Sequence, residues 1–131
     1  MIPLGLQREI KISKDKFAKE LVDLWETREM KGDVYTAYLY TIPIGFLLVQ
    51  YNAPNLQTIR GLWVEEKYRK QGVGRFLMEA LFEETDKAGV ETKVNITEGA
   101  QEFYKKFGFE IGERREDFPD QIRATRRVQV F

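Results

Sequence analysis

The chain has 131 residues, 43% hydrophobic and 13% aromatic with four prolines, which predicts one globular domain over residues 1–131. Its 21 basic and 21 acidic side chains sum to zero, leaving no global field to hold a nucleic acid, so no nucleic-acid partner is expected. Cysteine and histidine are both absent, which removes disulfides, thiolate nucleophiles, imidazole bases and nearly all zinc sites.

No metal is expected, and chemistry must run on carboxylates, Tyr, Lys, Arg, hydroxyls and backbone amides. The opening stretch from Met1 to Lys14 lacks a basic segment followed by a long apolar run. The longest apolar stretch, Ile42 to Val49, is broken by Pro43 and Gly45 and falls short of the roughly 20 residues of a membrane span. These features predict a cytoplasmic protein with no membrane partner, as a monomer or homodimer.

In chain order, Leu4 to Ile12 alternates as a first strand, and Ser13 is placed to cap a following helix with Asp15 in its first turn. Phe17, Leu21, Leu24 and Trp25, with Ala18 and Val22, form one apolar stripe at helical spacing. Lys31-Gly32-Asp33 closes that segment. Val34 to Tyr40 and Ile44 to Tyr51 are rich in β-branched and aromatic residues and predict a hairpin joined by Thr41-Ile42-Pro43. After a turn at Asn52 to Asn55, a strand runs from about Leu56 to Val64.

A helix follows, with Val73, Phe76, Leu77, Ala80, Leu81 and Glu84 stepping at three and four and Gly89 at its end. Val90 to Thr97 reads as a strand and Glu98 to Phe107 as a shorter helix ended by Gly108. Phe109 to Arg114 and Thr125 to Phe131 are the last strands, joined by a charged loop. The order β-α-β-β-β-α-β-α-β-β predicts an α/β (α+β) domain: a mixed, mostly antiparallel sheet of about six to seven strands with helices on both faces.

The segment from Trp63 to Arg75 carries the most specific chemistry. A strand ends, basic residues follow, and Gly72-Val73-Gly74 opens a helix. Glycines there admit a bulky anion to the backbone, first-turn amides and the helix dipole face it, and Arg69, Lys70 and Arg75 add charge. No Gly-Lys-Ser/Thr follows, so this is not a Walker loop, and no third glycine completes a dinucleotide fingerprint. A plain capping turn is the competing reading; the flanking cations favour a pyrophosphate site. In the second segment, Ala100 to Phe109, Phe103, Phe107 and Phe109 read as core aromatics. Tyr104, beside Phe103 and so expected to turn away from it, is left over.

Together these segments resemble the GNAT superfamily of N-acetyltransferases, which use acetyl-CoA to acetylate amines. Arg69-x-x-Gly72-x-Gly74 is similar to the family's pyrophosphate signature, and Ala100-x-x-Phe103-Tyr104-x-x-x-Gly108-Phe109 to its second motif. The likeness is strong from Leu56 to Glu110 and extends beyond in the order of elements. It implies that Leu62, Trp63 and Val64 offer backbone groups to the pantetheine arm and that amides of Gln71, Gly72, Val73, Gly74 and Arg75 wrap the pyrophosphate, aided by Arg69 and Lys70. It further implies Tyr104 as the acid beside the thioester sulfur. Two departures stand out: Thr97 occupies the place where members commonly carry a cofactor-binding Asn, and Gln57 to Val64 contains no acid to serve as a strand-borne general base.

The implied function is acetyl transfer to a primary amine by direct attack. A lysine amine near pKa 10.4 costs about 4 kcal/mol to neutralise at pH 7, a peptide α-amine near 8 only about 1 kcal/mol. A site without an evident base therefore tilts towards α-amines or other weakly basic amines, or towards a water relay to Glu65, Glu66, Glu91 or Glu98. Acceptor choice is expected to involve Trp25, Glu26, Arg28, Glu29, Tyr35, Tyr38, Phe118 and Asp120. The alternative is a non-catalytic acyl-CoA-binding or regulatory domain of the same fold. A phosphate-binding or RNA-binding module is disfavoured by the zero net charge and the lack of a basic stripe, since the C-terminal arginines Arg114, Arg115, Arg123, Arg126 and Arg127 share their stretch with four acids.

Overall fold

A computed structural model of the chain describes residues 9–16 and 32–128. Seven strands form one sheet: β1 (Ile10–Lys16), β2 (Gly32–Leu39), β3 (Ile42–Ala53), β4 (Leu56–Val64), β5 (Glu91–Ile96), β6 (Glu110–Arg114) and β7 (Ile122–Arg126). They lie in the order β1-β2-β3-β4-β5-β7-β6. Only β4 and β5 are parallel; the other neighbours run antiparallel. A parallel pair needs a crossover, and helix α1 (Val73–Lys87) supplies it. A second crossover, from β5 to β6, runs through a 3-10 turn (Glu98–Ala100) and the short helix α2 (Gln101–Lys105). The sheet is thus mixed and mostly antiparallel, as the sequence predicts.

Helix α1 buries Val73, Leu77, Met78, Leu81 and Phe82, its three-and-four stripe, against Leu47, Val49, Ile59, Val94 and Ile96 of the sheet. Each such aliphatic side chain contributes about 1.5–3 kcal/mol on full burial. The helix ends in a Schellman turn: Gly89 sits at φ 70, its N–H donates to Asp86 O at 3.2 Å, and the Val90 N–H donates to Thr85 O at 3.0 Å. Gly108 (φ 87) ends α2 likewise, with the Phe109 N–H on Tyr104 O at 3.3 Å. Phe82 of α1 meets Phe107 and Phe109 at 6.2 and 6.0 Å, so both described helices cover one face. The helix expected between Ser13 and Trp25 lies outside the described residues, except for its cap.

That cap is corrected. Ser13 pairs with Thr36 and Asp15 with Val34, because β1 continues to Lys16 along β2. Half-buried Ile10 and Ile12 set a strand alternation, and ladder pairing supplies the backbone partners that a helix cap would otherwise provide. The hairpin is tighter than predicted: Tyr40 (φ 57) and Thr41 alone make the turn, and Ile42 and Pro43 already pair with Leu39 and Tyr38. The last strand starts earlier, at Ile122, and stops at Arg126. Ile122, Ala124 and Arg126 alternate onto the core face, and the sequence hides this because the third is charged. Arg126 is buried by pairing, with Nη1 and Nη2 on the Asp86 carboxylate at 2.6 and 2.9 Å and Nε on Phe107 O at 2.6 Å. Its guanidinium also stacks 3.7 Å from the Phe82 ring centroid. No helix among the described residues is long and apolar enough to cross a membrane.

Candidate active site

The site begins where two strands separate. β4 and β5 pair only from Leu56↔Glu91 to Ile59↔Val94. At that point β4 bulges: Val49 of β3 opposes Ile59 and Leu48 opposes Gly61, leaving Arg60 as the extra residue. A bulge sharpens strand twist and bends β4 away. β5 stays attached on its other side to β7 as far as Ile96↔Ile122, so a gap opens between β4 and β5.

Alternation determines what β4 shows to that gap. The Glu65 N–H donates to Ile44 O at 2.8 Å, so residue 65 faces β3. In an antiparallel ladder successive residues turn their polar groups to opposite sides, and the backbone groups of Leu62 and Val64 therefore face the gap. Those of Trp63 face β3. The gap thus presents a strand edge on which an extended chain can pair. One of its acceptors, Val64 O, takes a hydrogen bond from Arg69 Nε at 2.7 Å.

Beyond β4, a 3-10 turn (Glu66–Tyr68) leads to Lys70 at φ 61 and Gly72 at φ 91, the residue before α1. No side chain caps α1, and its first turn holds no acid. The amides of Val73, Gly74 and Arg75 precede the first intrahelical bond, from the Phe76 N–H to Gly72 O at 3.0 Å. They give the helix entrance a positive end that no acid of its own first turn neutralises. A Cβ on Gly74 would touch the Phe103 ring at 3.5 Å and Leu62 at 3.8 Å, so the backbone there runs close against the wall.

A cleft of about 440 Å³ lies over this entrance, lined by Leu62, Val64, Tyr68, Arg69, Lys70, Gly72, Val73, Gly74, Arg75 and Phe103. Eight of the residues singled out by sequence therefore meet in one place. Trp63 does not: its side chain points away, half exposed, and stacks on Phe46 at 5.4 Å. Gln71 turns its amide to Lys67 O at 3.0 Å, and Thr97 is exposed ahead of the second 3-10 turn without capping it. Tyr68 and Phe103 join the lining without having been singled out for it; Phe103 was read as core.

Tyr104 lines an adjoining cavity of about 290 Å³ with Ile59, Arg60, Gly61, Leu62, Val94, Asn95, Ala100 and Phe103. Leu62 and Phe103 belong to both spaces, so the cleft over α1 continues into the gap. Tyr104 does not turn away from Phe103: the two rings meet edge to face at 5.2 Å, and a second edge contact joins Tyr104 to Phe109 at 5.3 Å. The short helix is packed at both positions, with Phe103 toward α1 and Tyr104 in the core. Burial pushes the Tyr104 hydroxyl up to about pKa 12, and no described residue hydrogen-bonds it. It is a fully protonated donor at any physiological pH.

No carboxylate among the described residues lines either space. Glu98 pairs with Arg114 at 2.9 Å, and Glu91 sits at the opposite end of β5 from the gap, across from Leu56. Among the described residues no group of acids is arranged to hold a metal ion. Of the residues expected to select the acceptor, Tyr35 is a core residue whose hydroxyl donates to Glu84 at 2.9 Å, and Phe118 is exposed beneath the Arg115 guanidinium at 4.7 Å. Trp25, Glu26, Arg28 and Glu29 lie outside the described residues.

A family model described as an acetyltransferase (GNAT) domain matches residues 30–111. Solved structures share the fold. A GNAT family acetyltransferase from Elizabethkingia anophelis, with acetyl-CoA bound, superposes at TM-score 0.70 with 19% identity, over 91% of this chain and 98% of that one. Ard1 from Thermoplasma volcanium gives 0.71 with 20% identity over 93% and 99%. The ribosomal-protein-S18-alanine N-acetyltransferase of Escherichia coli gives 0.72 with 15% identity over 92% and 96%. Against curated protein sequences the chain has no match. The family match covers well over half of the chain and spans β2 to β6 with the gap, the glycine turn and Tyr104 inside it, so the chain belongs to the GNAT family of acetyltransferases.

Proposed function

We propose that this acetyltransferase moves an acetyl group from acetyl-CoA to a primary amine by direct attack, with Tyr104 as the proton donor to the departing sulfur. The observation that carries the reading is the continuity of the two spaces: an anion-binding helix entrance, an unpaired strand edge and a protonated hydroxyl follow one another along one path. Acetyl-CoA supplies an acyl group activated as a thioester. The fit is good on three counts. Gly72 (φ 91) and Gly74 leave the amides of Gly72 to Arg75 open to a pyrophosphate, with Arg69, Lys70 and Arg75 beside them. The gap-facing groups of Leu62 and Val64 match the amides of a pantetheine arm. The Tyr104 hydroxyl has no competing protein partner.

The chain's own residues then divide the work. The Val64 N–H faces the gap and is the donor for charge developing on the acyl oxygen. Tyr104 hydrogen-bonds the sulfur as the C–S bond breaks and recovers its proton from water. The amine nitrogen forms the new C–N bond and gives its proton to water, since no carboxylate reaches the gap. That arrangement favours amines whose neutral form is cheap at pH 7, with a peptide α-amine near pKa 8 costing about 1 kcal/mol. The whole chain is proposed to act as one domain. A non-catalytic acyl-CoA receptor would not need a buried hydroxyl at the gap. The test is release of free CoA thiol from acetyl-CoA against a panel of amines and peptide N-termini, with acetyl-CoA binding read separately as a thermal shift. Binding without thiol release for every amine would leave only the receptor reading.

A further inference from the structure

The cavity that holds Tyr104 is lined by one charged side chain, the cation Arg60. We propose that the acceptor is an amine carrying its own carboxylate close to the nitrogen, and that Arg60 binds that carboxylate. This rests on the acetyl-transfer reading above and adds to it the class of acceptor.

Arg60 is the extra residue of the β4 bulge, so the feature that opens the gap also places this side chain at it. It is exposed, and among the described residues it has no hydrogen bond, ion pair or ring contact. Other arginines of the chain are engaged: Arg75 with Glu79, Arg114 with Glu98, Arg115 with Asp117 and Arg126 with Asp86. An unpaired guanidinium is a ready bidentate partner for a carboxylate. The neighbouring strand edge reinforces the sign. Lys93, Asn95 and Arg123 are exposed, with Asn95 directly across from Arg123, on the face opposite buried Val94 and Ile96. Of the acids nearest in sequence to this rim, Glu98 is paired with Arg114, Glu91 lies at the far end of β5 across from Leu56, and Asp120 is exposed in the loop before β7.

A cation at the gap repels a polyamine or a lysine ammonium and holds a carboxylate-bearing amine in place. At about 290 Å³ the cavity sits at the low end of ligand pockets, suited to a small acceptor head. Two sources supply this chemistry: a free acidic amino acid, or an acidic first residue of a peptide. In either case the C–N bond forms as the C–S bond breaks, nitrogen loses a proton to water, sulfur gains one from Tyr104, and Arg60 exchanges no bond.

The experiment compares CoA thiol release at saturating acetyl-CoA and low salt for free glutamate, Glu-Ala-Ala-amide, Gln-Ala-Ala-amide, Lys-Ala-Ala-amide and spermidine. Wild type is expected to prefer a glutamate acceptor over its glutamine and lysine counterparts by about fivefold or more in kcat/KM, the size of one partly exposed charge pair. Arg60→Glu should reverse that order while the thermal shift given by acetyl-CoA is retained, and Arg60→Ala should flatten it. The relative rates of free glutamate and Glu-Ala-Ala-amide distinguish the two sources. Should wild type release thiol with none of the five, N-acetylglutamate against N-acetyllysine amide, read as thermal shifts of CoA-loaded protein, still tests Arg60: only the first should stabilise, and not in Arg60→Ala. Equal rates for all acceptors, a preference for lysine or spermidine, or an order unaltered in Arg60→Glu overturns the proposal but leaves acetyl transfer standing. Acetyl-CoA binding with neither thiol release nor product binding overturns both.

Discussion

Tyr104→Phe is the sharpest test of the site because the structure separates its two consequences. The ring is buried and makes edge contacts with Phe103 and Phe109, which phenylalanine reproduces. No described residue hydrogen-bonds the hydroxyl, so its removal leaves no protein group unpaired, and stability should change by under about 0.5 kcal/mol. The cost in turnover follows from the pKa. At about 12, Tyr104 is a weak acid. Full proton transfer to a thiolate whose acid is near 8.5 is uphill by about 5 kcal/mol. In the proposed mechanism the hydroxyl's hydrogen bond thus supplies most of the stabilisation as charge grows on sulfur, the proton follows late, and its loss belongs near the lower end of general-acid effects, about 10²-fold in kcat. The assay is thiol release at saturating acetyl-CoA, with acetyl-CoA affinity measured by thermal shift and expected to be nearly unchanged. The pH profile adds a second reading: with the donor protonated to about pH 12, the rate should climb through the pKa of the acceptor amine with no falling limb below pH 10. A kcat within about threefold of wild type, or a falling limb near pH 8 to 9, would falsify the assignment of Tyr104 as donor.

Gly72→Val places a β-branched side chain at φ 91, strained by at least about 1 kcal/mol, and should abolish the thermal shift given by acetyl-CoA. A retained shift would remove the amide cradle. Asp86→Ala leaves Arg126 charged at 6% side-chain exposure and should destabilise the fold by about 3–5 kcal/mol, against under about 1 kcal/mol for Glu79→Ala at the exposed pair with Arg75; urea melts compare them. Tyr104 carries a folded pKa above the unfolded value of 10.0, so its contribution to stability is full below pH 10 and lost as pH rises to about 12. That loss is about 3 kcal/mol, and Tyr104→Phe should flatten this part of an alkaline denaturation curve.

The parts of this molecule that were legible in its sequence are those governed by near neighbours. β4 spans Leu56 to Val64 as its residues predict, and Gly89 and Gly108 end their helices because the left-handed conformation there is a local demand. The glycine turn and its cations lie within a dozen residues, so their meeting at one cleft follows from a strand-turn-helix alone. What stayed hidden depends on partners far along the chain. Arg126 looks like a surface residue until Asp86, forty positions earlier, is brought against it. Ser13 looks like a helix cap until Thr36 is placed opposite. Tyr104 is buried because Phe109 closes over it after the Gly108 turn, a contact that helical spacing does not contain.

The bulge at Arg60 belongs to that hidden class, and the site depends on it. With strict alternation from Ile59, position 61 and the side chain of Trp63 would face α1 and the side chains of Leu62 and Val64 would face away. One extra residue reverses the phase. Leu62 and Val64 then turn their side chains toward α1 and the cleft, and Trp63 lies outside on Phe46. The same insertion ends pairing with β5 after Ile59↔Val94, which frees the edge on which the proposed function places the pantetheine arm. It also sets the Arg60 guanidinium, which no described residue pairs, at the cavity proposed for the acceptor. The gap, the free strand edge proposed for the cofactor and the cation proposed for the acceptor are therefore three consequences of a single register shift in one strand.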